Sequence, residues 1–186
     1  MMVSPLTREV AVASAVPPQL SLVESYLNSV DVESGLDDLD SLPRFQRWLR
    51  DHGRDGAAGT ATEADLAFAC ELRAELRAEL AGEGRPDRLD ALASTVALAA
   101  RFARDGTVRL GPAGPGVRGI LGEILAAIVH AEHDGTWPRL KICSADTCRY
   151  VYYDRSKNGS RRWCSMDVCG NRNKTRAYRD RNRAGS

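Results

Sequence analysis

The chain has 186 residues, of which 43% are hydrophobic and 27% charged, so one ordinary domain and a small module fit but two large domains do not. No apolar run approaches the roughly 20 residues of a membrane helix, and the short run 10–16 lacks the basic flank of a signal peptide. We therefore expect a cytoplasmic protein without a membrane segment, in which clustered cysteines indicate metal binding rather than disulfides.

Charge is distributed unevenly along the chain. Residues 139–186, the carboxy-terminal module, carry 13 basic and 4 acidic side chains, a net charge of +9. Residues 1–138, the body, carry 13 basic and 21 acidic side chains, a net charge of −8. A basic end on an acidic body is typical of proteins that contact nucleic acid with that end. The alternative, that the two parts pair with each other, stays open at this point.

The body predicts a mainly helical domain over 19–138, behind a flexible arm at 1–18 that contains three prolines. Leu, Val and aromatic residues recur at helical spacing in several segments, and each segment ends at glycine or proline. Helices are therefore predicted over 19–29, 42–52, 62–80, 86–106 and 120–133.

The segments between these helices predict loops and one strand. The acidic stretch 31–40 and the Gly/Ala-rich stretch 53–59 are predicted to be loops, and 107–110 a short strand. In the helix over 62–80, glutamates alternate with Arg73 and Arg77, which predicts a solvated outer face.

The body shows no pattern typical of a catalytic site. Cys70 lies on the apolar side of its helix and is interpreted as a buried structural cysteine. His130 and His133 share a helix face but have no third ligand nearby in the sequence, which argues against a metal site there. With no nucleophile–base pair or carboxylate pair in the pattern, we expect no enzymatic activity.

Four of the five cysteines lie within 27 residues, in two close pairs. Cys143 and Cys148 form the first pair, and Cys164 and Cys169 the second, with the spacing C-x4-C-x15-C-x4-C. Two close thiolate pairs separated by a loop supply the four-coordinate tetrahedral set that zinc prefers in structural sites. The sequence therefore predicts one structural Zn²⁺ and no catalytic metal.

A small β-hairpin is predicted between the two cysteine pairs. Residues 149–153 are rich in strand-forming side chains, and Asn158-Gly159 is a hairpin-turn signal, so 160–163 is expected to run back antiparallel. We interpret Tyr150, Tyr152 and Trp163 as its apolar platform, because such a unit has little other core. The alternative role for these three rings is stacking on bases.

A basic helix is predicted from about 168 to 183. At helical spacing, four arginines of this segment share one stripe, which suits contact with phosphates and guanine edges. A solvated charged face is the alternative. The candidate nucleic-acid-binding residues of the module are Arg161, Arg162, Asn171, Arg172, Lys174, Arg176, Arg179 and Arg183.

The module resembles the CGNR zinc-finger family, named for the run Cys169-Gly170-Asn171-Arg172. The matching stretch reads DRSKNGSRRWCSMDVCGNRNK and begins at Asp154. In that family the finger follows an ABATE domain. Residues 20–138 are similar to that domain in length and helical character, and YLNSVD (26–31) resembles its opening motif. The resemblance implies zinc on the four cysteines and a DNA-binding role in stress-induced transcription regulation.

We therefore expect a mainly α protein: a helical ABATE-like domain at 19–138 and a small α+β finger at 139–186, made of two cysteine knuckles, a hairpin and a basic helix. The finger is expected to dock on DNA, while the body senses an unidentified effector or forms a homodimer. Cys169→Ser is expected to unfold the module alone. Three alternatives remain: an RNA- or protein-binding adaptor, a ligand-binding or enzymatic body positioned by the finger, and a redox switch that releases zinc.

Overall fold

A computed structural model describes residues 16–175 of the chain. Most of the predicted amino-terminal arm therefore lies outside the described residues, as does the predicted basic helix beyond 175. The described part is mainly helical, with a small strand-containing module after the helices, as the sequence predicts.

Helices make up most of the body, and their bounds follow the predicted pattern in outline. A 3₁₀ turn at Pro18–Leu20 leads directly into the first α-helix. The α-helices are α1 (Ser21–Leu27), α2 (Leu42–Asp51), α3 (Asp55–Thr60), α4 (Glu63–Leu80), α5 (Pro86–Ala93) and α6 (Gly116–His133). Within residues 16–175, the strands form three antiparallel pairs: β1 (Val30–Asp31) with β2 (Leu36–Asp37), β3 (Leu98–Phe102) with β4 (Val108–Pro112), and β5 (Leu140–Ile142) with β6 (Val151–Tyr153).

Helix α4 begins where the sequence places its cap and runs through the core. The Thr62 hydroxyl accepts a hydrogen bond from the Asp65 amide, and the Asp65 carboxylate accepts one from the Thr62 amide, which completes a capping box. Leu72 is fully buried in the middle of this helix. Tyr26 of α1 donates a hydrogen bond from its hydroxyl to the carbonyl oxygen of Ala69 (2.5 Å), which ties α1 to α4.

Two segments predicted to be loops contain short regular elements. The 53–59 stretch contains the start of α3, so that prediction is wrong; Gly53, with φ of +69°, turns the chain between α2 and α3. The acidic 31–40 stretch holds the last residue of β1 and the whole of β2. Both elements are short, and periodicity is a weak guide to segments of that length.

The helix predicted over 86–106 is wrong in its second half. Helix α5 ends at Ala93, and the chain then forms β3, which pairs with β4. Leu98 and Phe102 fit a helical spacing of four, but residues an even number apart also share one face of a strand. The hairpin packs on α6 at Gly122, where an added Cβ would lie 3.1 Å from the Pro112 side chain. This contact lies far from β3 in sequence, so local pattern could not reveal it.

The face of α4 predicted to be solvated is partly buried, so that prediction is wrong as well. Arg73 and Glu75 are only 7% and 4% exposed. The Arg73 guanidinium donates two hydrogen bonds of 2.6 Å to the Asp37 carboxylate and one of 2.7 Å to the Ser29 hydroxyl. Asp37 of β2 therefore neutralises Arg73, and Arg85 forms the salt bridge with Glu75.

The carboxy-terminal module shares its core with the body. Strands β5 and β6 place Leu140, Ile142, Val151 and Tyr153 in the same buried cluster as the side chains of α1, α4 and α6. The four cysteines form a second buried cluster beside it. The strands of the module therefore complete the hydrophobic core of the body.

Candidate metal centre

The first cysteine pair lies in the loop that joins β5 to β6. Cys143 directly follows β5, and its amide donates a hydrogen bond to the Tyr150 carbonyl oxygen (2.8 Å). The amides of Cys148 and Arg149 both donate to the Ala145 carbonyl oxygen, at 2.8 and 3.0 Å. Arg149 has a φ of +52°, so the loop turns sharply there. This tight loop between paired strands brings both sulfurs to the same side.

The second pair lies at the start of the last described helix. The Ser165 hydroxyl accepts a hydrogen bond from the Val168 amide (3.3 Å) and caps a π-helical turn at Met166–Gly170, which holds Cys169. Residues 171–175 continue as α-helix. A Cβ at Gly170 would lie 2.5 Å from the Met166 sulfur, so only glycine fits this turn without displacing its neighbour.

The four sulfurs meet in one buried cluster of the size a zinc ion requires. Their ligand atoms all lie within 4.8 Å of one another, and every one of the four residues is buried. The Cys164 Sγ lies 3.7 Å from the Sγ of Cys148 and 3.7 Å from that of Cys169. Four sulfurs at a Zn–S distance of about 2.3 Å have tetrahedral edges of about 3.8 Å. The donor set and its spacing therefore fit one structural zinc ion.

The electrostatics of the cluster also fit a bound cation. Hydrogen bonds from Cys148 and Cys164 lower the pKa of Cys143. Hydrogen bonds to the neighbouring sulfurs, and after them burial, raise the pKa of Cys164. A divalent ion among these sulfurs compensates the charge of the thiolates that bind it.

Asp154 organises the backbone behind the cluster. It is fully buried, and its carboxylate accepts hydrogen bonds from the Lys141 ammonium (2.9 Å), the Ser156 amide (2.9 Å) and the Arg161 amide (2.8 Å). Burial alone would raise the pKa of Asp154, but the hydrogen bonds from Ser156 and Lys141 outweigh it and hold that pKa well below its usual value. One carboxylate thus fixes β5, β6 and the approach to Cys164 relative to one another.

The aromatic platform is confirmed as part of the core, whereas the predicted return strand is wrong. Tyr152 is 2% exposed, and Tyr150 and Trp163 pack against the cysteine cluster. Strand β6 pairs with β5 rather than with 160–163. The turn at Asn158-Gly159 is present, with Gly159 at φ +57°, but it leads into a segment without strand pairing. Sequence reasoning missed β5 because three residues are too few for the alternation of a strand to be recognised.

The two predicted nucleic-acid residues before the second cysteine pair have different surroundings. Arg161 is partly buried: its guanidinium donates a hydrogen bond to the Cys164 carbonyl oxygen (2.5 Å) and lies 5.3 Å from the centre of the Tyr152 ring. Arg162 is exposed, with its guanidinium 5.5 Å from the centre of the Trp163 ring. The Arg161 side chain therefore supports the cysteine cluster, and the Arg162 side chain faces solvent.

The predicted residues after Cys169 begin at the helix and are exposed. Asn171 donates a hydrogen bond to the Asp167 carbonyl oxygen (3.2 Å), and Lys174 projects into solvent. Arg172 forms a salt bridge of 3.1 Å with Glu33 of the body. Three further predicted residues lie outside the described residues: Arg176, Arg179 and Arg183.

Sequence reasoning missed the side chains that join the module to the body. The Asn28 side chain forms two hydrogen bonds with the backbone of Val151, and the Arg77 guanidinium donates to the carbonyl oxygens of Leu27 (2.6 Å) and Arg149 (2.8 Å). Burial lowers the pKa of Arg77 to about 10. The only local signal is the position of Asn28 in the motif YLNSVD, which resembles the opening of the ABATE domain.

The structure also pairs two residues that sequence reasoning left apart. The Ser25 hydroxyl lies 2.6 Å from the His52 Nε2, and the His52 Nδ1 lies 2.7 Å from the Trp48 carbonyl oxygen. The His52 ring packs 4.2 Å from the Trp48 ring, centre to centre. A serine–histidine pair that acts as nucleophile and base needs free amides nearby to stabilise an oxyanion. Ser25 lies inside α1, where the amides already form helical hydrogen bonds. We therefore interpret the pair as a structural contact between α1 and α2.

Comparison with known families agrees with both parts of the chain. The model of the ABATE family, described as "Putative stress-induced transcription regulator", matches residues 17–133, more than half of the chain. The chain belongs to the ABATE family. The CGNR zinc finger matches residues 139–182, directly after the ABATE match. Among curated proteins, none matches the chain.

The order of ABATE domain and CGNR finger is the order expected from the motifs. The ABATE description is that of a regulator and the CGNR description that of a zinc finger; neither is an enzyme description. In the described residues of this ABATE protein, no helix has the length and apolar character to cross a membrane. The two family matches and the four-cysteine cluster identify the chain as a zinc-binding member of a regulator family.

Proposed function

We propose that this protein is a cytoplasmic, zinc-dependent DNA-binding transcription regulator, with Cys143, Cys148, Cys164 and Cys169 as the zinc ligands. In this proposal residues 139–186 are the DNA-binding module and 19–138 the sensing or dimerising domain. The protein acts by binding, with no catalytic step.

One observation carries the proposal: residues beside the cysteine cluster form an exposed basic surface at the end of an acidic body. Arg162 and Lys174 are exposed on either side of the second cysteine pair, and neither forms a salt bridge within the described residues. The module carries a net charge of +9 against −8 for the body. Even with two negative charges left on the zinc–thiolate centre, the module keeps about +7, which favours phosphate contacts.

The helix that starts at Asn171 supports the same reading. Four more arginines follow its described part, at 176, 179, 181 and 183. Arginine side chains on a helix suit both phosphates and the guanine edge in the major groove. A structural metal next to the start of such a helix fixes its direction, because Cys169 is one of the four clustered residues.

The proposal is tested by selection from random duplex oligonucleotides with the zinc-loaded full-length protein, beside a chelated sample. We expect enrichment of a sequence only in the zinc-loaded sample. Lys174→Gln should weaken duplex binding and reduce the slope of log K against log salt by about one unit if Lys174 contacts phosphate. Arg47→Gln, an exposed change on α2, is the matched control and should leave binding unchanged.

Two outcomes count against the proposal. Enrichment of no duplex sequence by the zinc-loaded protein removes the claim of a specific regulator. Preference for single-stranded RNA over duplex DNA in a competition titration points to an RNA-binding adaptor instead. DNA binding that is lost on chelation and restored by added Zn²⁺ would show that the folded finger binds DNA, beyond non-specific attraction by the basic module.

A further inference from the structure

The tip of the β3–β4 hairpin is the most exposed apolar feature of the described chain. Phe102 is 80% exposed and Val108 54% exposed. The two residues are direct cross-strand partners, so their side chains lie side by side on one face of the hairpin. Every residue from 100 to 109 is exposed, so the hairpin projects from the body. An exposed aromatic–aliphatic pair on a projecting tip is typical of an interaction surface.

The tip is also basic, in contrast to the rest of the body. Three arginines and one acidic residue fall between 101 and 109, although the body as a whole carries a net charge of −8. Arg104 lies in the turn. Arg101 and Arg109 are cross-strand partners on the face opposite Phe102, where the Arg101 guanidinium donates a hydrogen bond to the Pro112 carbonyl oxygen. Within residues 16–175, neither Arg104 nor Arg109 forms a salt bridge. Their charge is therefore available to an anionic partner.

The turn at the tip has a fixed shape. The Ala103 amide donates to the Thr107 carbonyl oxygen (2.9 Å), and the Gly106 amide donates to the Ala103 carbonyl oxygen (3.1 Å). The Asp105 carboxylate accepts from the Thr107 amide (2.9 Å) and hydroxyl (2.7 Å). Gly106 has a φ of +81°, which a residue with a Cβ rarely adopts. A preorganised tip loses little conformational entropy when it inserts into a partner.

The tip lies at the end of α6 from which the chain enters the module. Near its base the hairpin packs on Gly122, and further along, the His130 Nε2 contacts the Leu110 carbonyl oxygen at 3.0 Å. Beyond that point Val108 lines the same cleft as Asp134, which caps the end of α6. Strand β5 begins six residues after that cap. The tip and the module are thus both close to the carboxyl end of α6.

We propose that this tip is a second contact with duplex DNA, in which Phe102 and Val108 press against base edges and Arg104, in the turn beside them, contacts a phosphate. The inference rests on the proposed DNA-binding function and names a second element of the same interface. Proteins that deform DNA commonly combine arginines with an apolar side chain inserted at a base step. The projecting, basic, apolar-tipped hairpin supplies that combination.

A second copy of the chain fits the tip less well. In a two-fold contact through Phe102 and Val108, Arg104 gains no anionic partner, because the tip meets only an identical basic tip. Duplex DNA neutralises Arg104 beside the apolar pair, so it fits the tip better.

The test compares duplex binding and bending by the full-length zinc-loaded protein and three variants. We expect Phe102→Ala to bind duplex roughly tenfold more weakly, as for loss of an aromatic contact with bases, and to reduce DNA bending measured by end-to-end fluorescence transfer. Arg104→Gln should lower the salt slope by about one unit. Val129→Ala, which removes an exposed aliphatic side chain on α6, is the matched control and should change neither. Thermal unfolding confirms that each variant is folded.

A photo-crosslinking residue placed at position 102 identifies the occupant directly. A covalent adduct with duplex DNA supports the proposal, whereas an adduct with a second chain, or only within the same chain, overturns it. If Phe102→Ala and Arg104→Gln bind like the wild type while Lys174→Gln binds more weakly, this inference fails and the proposed function stands. If the wild type itself binds no duplex DNA, both fail.

Discussion

Asn28 of the body holds Val151 of the module through both polar groups of its side chain. Its Nδ2 donates to the Val151 carbonyl oxygen and its Oδ1 accepts from the Val151 amide, each at 2.8 Å. Asn28 thereby satisfies the backbone of β6 on the side away from β5, where a third strand would otherwise pair. The asparagine also ends α1, so the first helix of the body and the last strand of the module meet at one residue.

Replacing this asparagine tests how much the joint stabilises the fold. Asn28→Ala leaves the donor and acceptor of Val151 unpaired at a part-buried site, so we expect a loss of about 2–4 kcal/mol in the free energy of unfolding. Asn158→Ala, at an exposed turn position, is the control and should cost much less. Urea unfolding followed by circular dichroism measures both. A loss below 0.5 kcal/mol for Asn28→Ala, roughly the error of the method, would show that the joint carries little energy.

Zinc removal is expected to destabilise the body together with the module. The sequence alone predicts that Cys169→Ser unfolds the module by itself, but four side chains of β5 and β6 lie in the core of the body. Metal binding supplies much of the folding free energy of small zinc modules. We therefore expect chelation or Cys169→Ser to lower the midpoint of the main thermal transition and expose the body core.

The measurement for zinc removal is helix content against temperature, with and without chelator and after added Zn²⁺. Cys70→Ala is the control, because Cys70 lies apart from the four-cysteine cluster. This substitution should leave the zinc content at about one ion per chain. A body transition that keeps its midpoint while the module alone melts would contradict the shared core.

Asp154 is expected to be the most sensitive carboxylate of the module. Asp154→Asn removes a buried charge that is paired with Lys141 and bound to two backbone amides, so we expect a loss of about 3 kcal/mol or more. Because folding lowers the pKa of Asp154, its carboxylate contributes to the free energy of unfolding at any pH above the unfolded pKa, near 4. That contribution is lost as the pH falls below this value. Unfolding free energies at pH 7 and pH 3 check this, with exposed Asp146→Asn as control. Equal losses for both variants would refute the role.

Glu24 should give the opposite pH dependence. Burial raises its pKa to about 7, from 4.5 in the unfolded chain. Between these values the folded state binds more protons than the unfolded state, so stability falls as the pH rises from about 4.5 to 7. Glu24→Gln removes this dependence, and we expect a relative gain of roughly 1–2 kcal/mol at pH 8 and almost none at pH 4, after allowing for partial exposure.

Denaturant unfolding of Glu24→Gln at pH 4 and pH 8 provides the check. The exposed change Glu132→Gln is the matched control and should not alter the pH profile. A gain for Glu24→Gln that is the same at both values of pH would mean that the carboxyl does not titrate in this window.

The Glu33–Arg172 salt bridge is expected to compete with DNA for the arginine of the CGNR motif. The pair is half exposed, and such pairs contribute about 0.2–1 kcal/mol. If Arg172 contacts phosphate, Glu33→Gln should tighten duplex binding by up to about fivefold, and Arg172→Gln should weaken it. Fluorescence anisotropy at low salt measures both, with Glu63→Gln as control. Unchanged or weaker binding by Glu33→Gln would show that the pair does not restrain the arginine.

The sequence by itself determined those features whose signals are local. The spacing of Cys143, Cys148, Cys164 and Cys169 specified a four-thiolate site, because two close pairs are enough to define the donor set. Thr62 and the apolar period after it specified the start and buried side of α4. The CGNR run specified the type of zinc finger, since its residues are adjacent in the chain.

Only the tertiary structure decided which distant segments meet. Three contacts join residues that lie far apart in sequence. Strand β6 pairs with β5, Arg73 bonds to Asp37 of β2, and Asn28 bonds to the backbone of Val151. Helical periodicity continued into β3 because a spacing of four residues fits a helix and a strand alike. Whether such a segment becomes a helix or a strand is decided by its packing against α1, α4 and α6. There, burial and the satisfaction of hydrogen bonds outweigh local propensity.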